Sequence, residues 1–342
     1  MVARDPLAAS KAIQKRTGRT FHLATRLLPK PIRHATYVLY AFFRIADDVV
    51  DDPSPPPAAQ RRETLARIRD EALGAHPSDD PILLAFREVR ERYDIADAEV
   101  EEFIAAMAAD VEATRYETYA DLEGYLRGSS VAVAYMMLAV MDPDDPAAAR
   151  PHARALGEAF QLTNFLRDVR EDVLEYGRIY LPRSTLARHG VSDDQVMALE
   201  FSPGFAAAMR DELERTERLY RTGVDGIATL PAGCQFPVLL AAVLYADHHR
   251  LIRDQGFDVL SHRPTLSLAR RVRLSARTWI HWWRTKDPRA TFEAVGPIPC
   301  ADPSPKSSEQ YTRAGEGTTD DAGWSEGVLT SLAARLPLGV FR

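Results

Sequence analysis

Cysteine is nearly absent from this chain: 342 residues contain only Cys234 and Cys300. Two thiols make neither a disulfide framework nor a cysteine-built zinc site, and such poverty fits a reducing cytoplasm. Lysine is scarce too, at five of 43 basic residues (Lys11, Lys15, Lys30, Lys286 and Lys306). Either a GC-rich coding sequence or arginine-specific anion binding accounts for that bias. Long apolar runs are missing. The longest, residues 236–246, falls far short of the roughly 20 needed to cross a bilayer, so no transmembrane segment is expected. No basic, apolar, small-residue opening marks a secretory signal. An excess of positive charge is missing as well: the formal net charge is −6, which argues against a nucleic-acid partner. What is present is 46% hydrophobic and 27% charged residues, enough to bury a sizeable core and to exclude global disorder.

From residue 11 to about 292 the pattern is helical. Alanine, leucine and arginine dominate, and apolar residues recur three and four apart. Neither an alternating β-branched strand nor a Gly-rich strand–turn–helix unit interrupts it. Breaks at 29–31, 53–57, 76–81, 142–146, 181–190, 202–204 and 223–233 have the length of connections between packed helices. The reading is one all-α domain over residues 1–295. Residues 296–326, rich in Pro, Ser, Gly, Thr and Asp, open a C-terminal tail expected to be disordered. Its end, 328–341, turns apolar again and reads as a mobile tail or a weak membrane-surface anchor.

The carboxylates are unevenly placed. Tyr37-Val-Leu-Tyr40-Ala-Phe-Phe-Arg44-Ile-Ala-Asp47-Asp48-Val-Val-Asp51-Asp52 is an apolar helix ending in four acids, stopped by Pro53. At 100° per residue Tyr40, Arg44, Asp47 and Asp51 share one stripe. Acids oppose the partial negative charge of a helix C-terminus, and acids four apart repel. Two unit charges roughly 6 Å apart repel by about 2–3 kcal/mol at an effective dielectric near 20. Arg44 offsets part of this, and a divalent cation such as magnesium, which favours oxygen ligands, would offset the rest. Taken alone, the segment fits a solvated helix end as well as it fits a metal site.

A second group lies in residues 152–176, read as one helix. Ala155, Ala159, Leu162, Leu166, Val169 and Val173 form an apolar seam. Opposite run Gly157, Gln161, Asn164, Asp168, Asp172 and Glu175, flanked by Phe160 and Phe165 where a solvated face would carry Lys or Glu. Short oxygen ligands beginning at a glycine suit close approach of a ligand. Two such helices facing across a bundle would hold magnesium ions between them. The natural partner is a polyanion such as diphosphate, which metals help to leave, and the rest of the cavity would be apolar helix faces.

These segments resemble the squalene/phytoene synthase family of head-to-head prenyltransferases, over roughly residues 11–295. The most specific element is Gln161-Leu-Thr-Asn164-Phe-Leu-Arg167-Asp168-Val-Arg-Glu171-Asp172, continued by Tyr176-Gly-Arg178-Ile-Tyr180-Leu-Pro182. The stretch from Tyr40 to Asp52 is similar to the family's first Asp-rich motif. The resemblance implies an isoprenoid synthase-type helical bundle around a hydrophobic cavity. It implies magnesium (or manganese) ligands at Asp47, Asp48, Asp51, Asn164, Asp168 and Asp172, with Asp47, Asp51, Asp168, Asp172 and Tyr125 in catalysis. Arg44, Arg167 and Arg178 would hold diphosphate oxygens. Thr17, Thr20 and Phe21 stand where the family has a Ser-containing loop ahead of Phe, and Tyr245 and Arg263 match residues covering the diphosphate pocket. Tyr40 and Gln161 complete the substrate-binding set. The reaction implied joins two geranylgeranyl diphosphates through prephytoene diphosphate to phytoene, in carotenoid biosynthesis and without NADPH. A cytoplasmic enzyme is expected, with peripheral membrane contact for release of an oily product.

One stretch departs from the family pattern. After Tyr125 the chain reads Leu126-Arg-Gly-Ser129-Ser130-Val-Ala-Val-Ala134, which keeps small residues but alters the run that borders the pocket. Squalene or dehydrosqualene formation from two farnesyl diphosphates keeps the fold and changes the substrate; squalene alone would require NADPH. A non-catalytic assembly protein predicts decayed acid clusters, and both are intact here. A class I terpene cyclase predicts a cyclised product from one substrate.

Overall fold

The computed structural model describes residues 10, 11, 14, 19–52 and 54–299, and among these every regular element is helical. Helix α1 (Arg19–Thr25) leads into α2 (Lys30–Val50), followed by α3 (Ala58–Leu73), α4 (Pro81–Arg92) and α5 (Asp97–Asp110). Next, α6 (Tyr119–Leu126) passes through a wide π-helical turn, Arg127–Ala132, into α7 (Val133–Met141). Then come α8 (Pro146–Arg167), α9 (Val169–Tyr176) and the short α10 (Arg183–Arg188) and α11 (Asp193–Met197). Helix α12 (Pro203–Asp225) continues through a 3-10 turn, Gly226–Thr229, towards α13 (Ala232–Asp254). Two helices, α14 (Leu268–Thr285) and α15 (Pro288–Val295), complete the order.

The ends of these helices are written in the sequence. Asp80, Asp145, Ser202 and Asp287 each accept a backbone N–H of the first turn, and each is followed by a proline whose missing donor costs nothing there. Thr118 with Asp121, and Ser192 with Gln195, form reciprocal capping boxes. The sequence-predicted breaks appear between helices, although 181–190 holds α10 and α12 runs through Gly223 before it ends. That glycine is needed: a Cβ on it would stand 2.8 Å from Leu156 Cβ and 2.9 Å from Leu156 N, so its absence lets α12 lie against α8.

Helix α8 is the central element. Leu162 and Phe165 join a core with Phe42, Phe43, Phe86 and Phe103. Leu156 and Ala159 join a second with Tyr220, Leu240 and Trp282, and Leu166 a third around Phe205 and Met209. All six seam residues from Ala155 to Val173 are buried, as their spacing predicts.

One expectation needs correction. The helix read over 152–176 is not continuous: it breaks at Asp168, whose φ of −103° and ψ of 12° leave the helical well. Hydrogen bonds from Asp168 N to Asn164 O and from Asp172 N to Asp168 O carry the backbone ladder across the break. Residues just beyond Val295 also pack on the bundle. Ile298 is buried beside α13 and α15, and the carbonyls of Gly296 and Pro299 accept hydrogen bonds from Arg250 and Arg221. Among the described residues one stretch, Tyr119–Met141, is long and apolar enough to cross a membrane by composition, but 61% of its most apolar window is buried inside the bundle. It is a core helix.

Candidate active site

Both acidic segments reach one chamber. The C-terminal end of α2 brings Asp47 and Asp51, α8 and α9 bring Gln161, Asn164, Asp168 and Asp172, and all six line a polar cavity of about 500 Å³. Tyr125 from α6 and Arg178 from the loop after α9 line it too. Gly177, at φ 62°, ends α9 in the left-handed region and turns Arg178 inward. There Arg178 donates from Nη2 to the Asp110 carbonyl at 2.7 Å and places Nη1 3.6 Å from Asp51 Oδ1.

Arginines balance the acids. Arg44 pairs with Asp47 at 3.6 Å and also with Asp48. Arg167 donates from Nε and Nη2 to the two oxygens of Asp168 at 2.7 and 2.6 Å. On the same carboxylate Arg263 donates from Nε at 2.8 Å, and it lies 3.1 Å from Glu171. Burial and the neighbouring Asp47 push the Asp51 carboxyl well above the usual carboxylate range, against the pull of Arg178. A carboxyl so placed favours any additional positive charge in the chamber.

The remaining expected residues separate into three groups. Phe21 and Gly157 line a second, apolar cavity, and Tyr40 stacks on Phe21 at 6.4 Å between ring centroids. Tyr245 packs on Phe160, another lining residue, at 5.0 Å. Burial raises its phenol to about 12, so it remains a hydrogen-bond donor at neutral pH. Asp48 is not brought to the chamber: its side chain is 54% exposed and is engaged by Arg44 on the outer side of α2. One step of 100° from Asp47 is enough to rotate it out. Thr17 and the side chain of Thr20 lie outside the described residues.

The apolar cavity, together with the open space at its mouth, comprises about 940 Å³ and is walled by α1, α7, α8 and α13. Gln161 lines both cavities, so the acidic chamber and the oily one meet at that side chain. The altered stretch after Tyr125 forms part of the apolar cavity's wall. Its π-helical turn sets Gly128 against α5, where a Cβ would come within 2.3 Å of the Glu102 carbonyl, and turns Ser130 into the apolar wall.

Sequence reasoning missed Asp110 and an aromatic cluster. Asp110, at the end of α5, lines the chamber and accepts the Tyr125 hydroxyl on Oδ2 at 2.5 Å. Burial raises its carboxyl to about 6, although Arg178 and the Tyr125 hydroxyl pull it down. Phe165 and Tyr180 stack at 3.8 Å, with the Tyr125 ring 6.2 and 5.9 Å away and Tyr116 behind. The signal was available: Phe103, Met107 and Asp110 are four and three apart, an acid on the buried stripe of a helix.

Among the described residues no three His, Cys, Asp or Glu side chains gather around one point as a protein-only metal cage. The donors instead form two banks across a chamber, and Asn164 Oδ1 is buried there with no hydrogen-bond partner among the described residues. Hard oxygen donors offered one or two at a time fit magnesium, which commonly takes one or two carboxylates and completes its shell with water and substrate phosphates.

The sequence profile of squalene/phytoene synthases matches residues 14–275. A phytoene synthase of Cereibacter sphaeroides is 30% identical over 308 residues, covering 87% of this chain and 83% of that protein. A 15-cis-phytoene synthase of a Paracoccus species is 33% identical over 276 residues, covering 78% and 88%. Of solved structures, a dehydrosqualene synthase in complex with a ligand superposes with a TM-score of 0.71 at 29% identity, covering 79% of this chain and 94% of that one. A squalene synthase of Alicyclobacillus acidocaldarius repeats the fold at a TM-score of 0.65 and 24% identity, over 73% of this chain and 95% of that one.

Proposed function

Because the chain belongs to the squalene/phytoene synthase family, whose members are prenyltransferases, we propose that it joins two geranylgeranyl diphosphates head to head. The product would be phytoene, formed through prephytoene diphosphate with loss of diphosphate, as a step of carotenoid biosynthesis. The observation that carries this reading is the meeting of an acidic, arginine-edged chamber with an apolar cavity at Gln161. Diphosphate heads suit the first and hydrocarbon tails the second.

The apolar cavity is long enough for a whole farnesyl chain and for nearly all of a geranylgeranyl one. It follows α8 from Gln161 to Ala149, about 18 Å at 1.5 Å per residue. An extended carbon chain with bonds of roughly 1.5 Å advances about 1.25 Å per bond, so about 14 bonds fit. A geranylgeranyl main chain has about 15, a farnesyl chain about 11.

Magnesium held by Asp47, Asp51, Asn164, Asp168 and Asp172 would supply Lewis-acid assistance to departure of diphosphate. The chain's own groups do the rest. Arg44, Arg167, Arg178 and Arg263 surround the site with fixed positive charge that favours bound diphosphate. Loss of diphosphate leaves an allylic cation, which the ring faces of Tyr125, Phe165 and Tyr180 stabilise by cation–π attraction while excluding water. Asp110 holds the Tyr125 hydroxyl, fixing that ring in the wall of the acidic chamber.

The test is a product assay with the purified chain, magnesium, and geranylgeranyl or farnesyl diphosphate, with and without NADPH. A C40 hydrocarbon made without NADPH supports the reading. A C30 product from farnesyl diphosphate alone, or a cyclised monomer, overturns it.

A further inference from the structure

The outer face of α14 carries more apolar surface than its packing uses. Its inner side is anchored by buried Leu274, Thr278 and Trp282 and by Arg270, which donates from Nε and Nη2 to Asp247 at 2.5 and 3.1 Å. On the outside Leu268, Val272, Trp279, Ile280 and Trp283 are 48–70% exposed. At 100° per residue these five fall within a sector of about 120°. Arg273, Arg277 and Arg284, all exposed, occupy the next 40° or so of the same turn sequence. The helix contains no Asp or Glu, and no carboxylate among the described residues pairs with those three arginines.

We propose that this face docks on an anionic lipid bilayer. Tryptophans and aliphatic side chains edged by arginine are the composition of helices that lie in a membrane interface. The charge is complementary to anionic headgroups and purely local, since the chain as a whole carries −6. Position supports the same partner. Trp279 meets Phe236 of α13 edge to face at 5.2 Å, and the next two residues of α13, Pro237 and Val238, line the apolar cavity. The docked face would therefore lie against the outer side of the wall enclosing the hydrocarbon. Only that last argument rests on the proposed reaction; the docking itself needs no substrate.

The test uses the full chain and vesicles of phosphatidylcholine alone or mixed with phosphatidylglycerol, read by co-sedimentation. The expected result is binding to the mixed vesicles that weakens with salt. Replacing Arg273, Arg277 and Arg284 by Gln should weaken it about a hundredfold, at roughly fivefold per arginine. The pair Trp279→Ser and Trp283→Ser should abolish it while turnover of detergent-dispersed substrate and helical circular dichroism stay unchanged. Three results overturn the proposal: no preference for mixed vesicles, binding indifferent to the substitutions (which puts attachment elsewhere, for instance in residues 300–342), or a lipid-free dimer that the tryptophan pair dissolves. Because no substrate is present, each of these leaves the proposed reaction standing.

Discussion

Replacing Asp110 by Asn should make the protein more stable at neutral pH and less active. Asp110 is buried at the end of α5, where the helix terminus is itself partially negative. Its Oδ2 accepts the Tyr125 hydroxyl, and its Oδ1 is buried without a hydrogen-bond partner among the described residues. Burial raises the carboxyl from 3.8 to about 6, net of the attraction of Arg178. A carboxyl raised by folding contributes stability that is full below pH 3.8 and is lost as pH rises through about 6. At about 1.4 kcal/mol per pH unit, that interval amounts to about 3 kcal/mol. Asn keeps the shape and an acceptor for Tyr125 but carries no charge. Urea unfolding of both proteins without magnesium or diphosphate should show the variant about 3 kcal/mol more stable at pH 7.5 and close to equal at pH 4. Turnover should fall at least tenfold as the Tyr125 hydroxyl loses its charged acceptor. A variant no more stable than the parent at pH 7.5, or a difference independent of pH, would refute the reasoning.

Other substitutions separate neighbouring roles. Asp47→Ala, Asp51→Ala, Asp168→Ala and Asp172→Ala should each abolish turnover with helical content intact, whereas Asp48→Asn, on the outer side of α2, should retain most of it; equal losses at Asp47 and Asp48 in a radiolabelled product assay would contradict the assignment. Gly223→Ala must push α12 from the Leu156 backbone, and overpacking of about 1–3 kcal/mol should exceed the gain of about 1 kcal/mol in helix propensity, lowering the melting temperature. His248, held neutral by burial with its imidazole lowered to about 3, contributes stability present above pH 6.5 and lost as pH falls towards 3. His248→Gln should therefore flatten the acid limb of the stability profile. A chain ending at Val295 loses the buried Ile298 and should be about 2 kcal/mol less stable than one ending at Pro299, by the usual worth of one buried aliphatic side chain.

Much of this molecule was legible in its sequence because helical periodicity reports burial directly. The stripe Tyr40, Arg44, Asp47 and Asp51 is buried in full, and so is the seam from Ala155 to Val173. Meeting of the two acid groups was legible too, since amide and carboxylate ligands flanked by phenylalanine have no reason to face water. Single residues were harder. Asp48 lies in the same acidic run as Asp47, and only rotation about the helix axis separates them. Asp110 stands alone in its segment, so composition gave no cluster to notice, and its meaning comes from Tyr125, fifteen positions further on. The break at Asp168 carries neither Gly nor Pro. The arginine pairing that surrounds that carboxylate is tertiary, with Arg263 contributed from 95 residues away.

The central claim is that the oily cavity beyond Gln161 accepts geranylgeranyl chains and couples two of them. Its most direct measurement is turnover with equimolar geranylgeranyl and farnesyl diphosphate in one vessel with magnesium, the hydrocarbons being separated by chromatography. The account predicts phytoene as the main product, formed at the same rate with NADPH omitted. A main product of C30 length, or one whose formation requires NADPH, would contradict it.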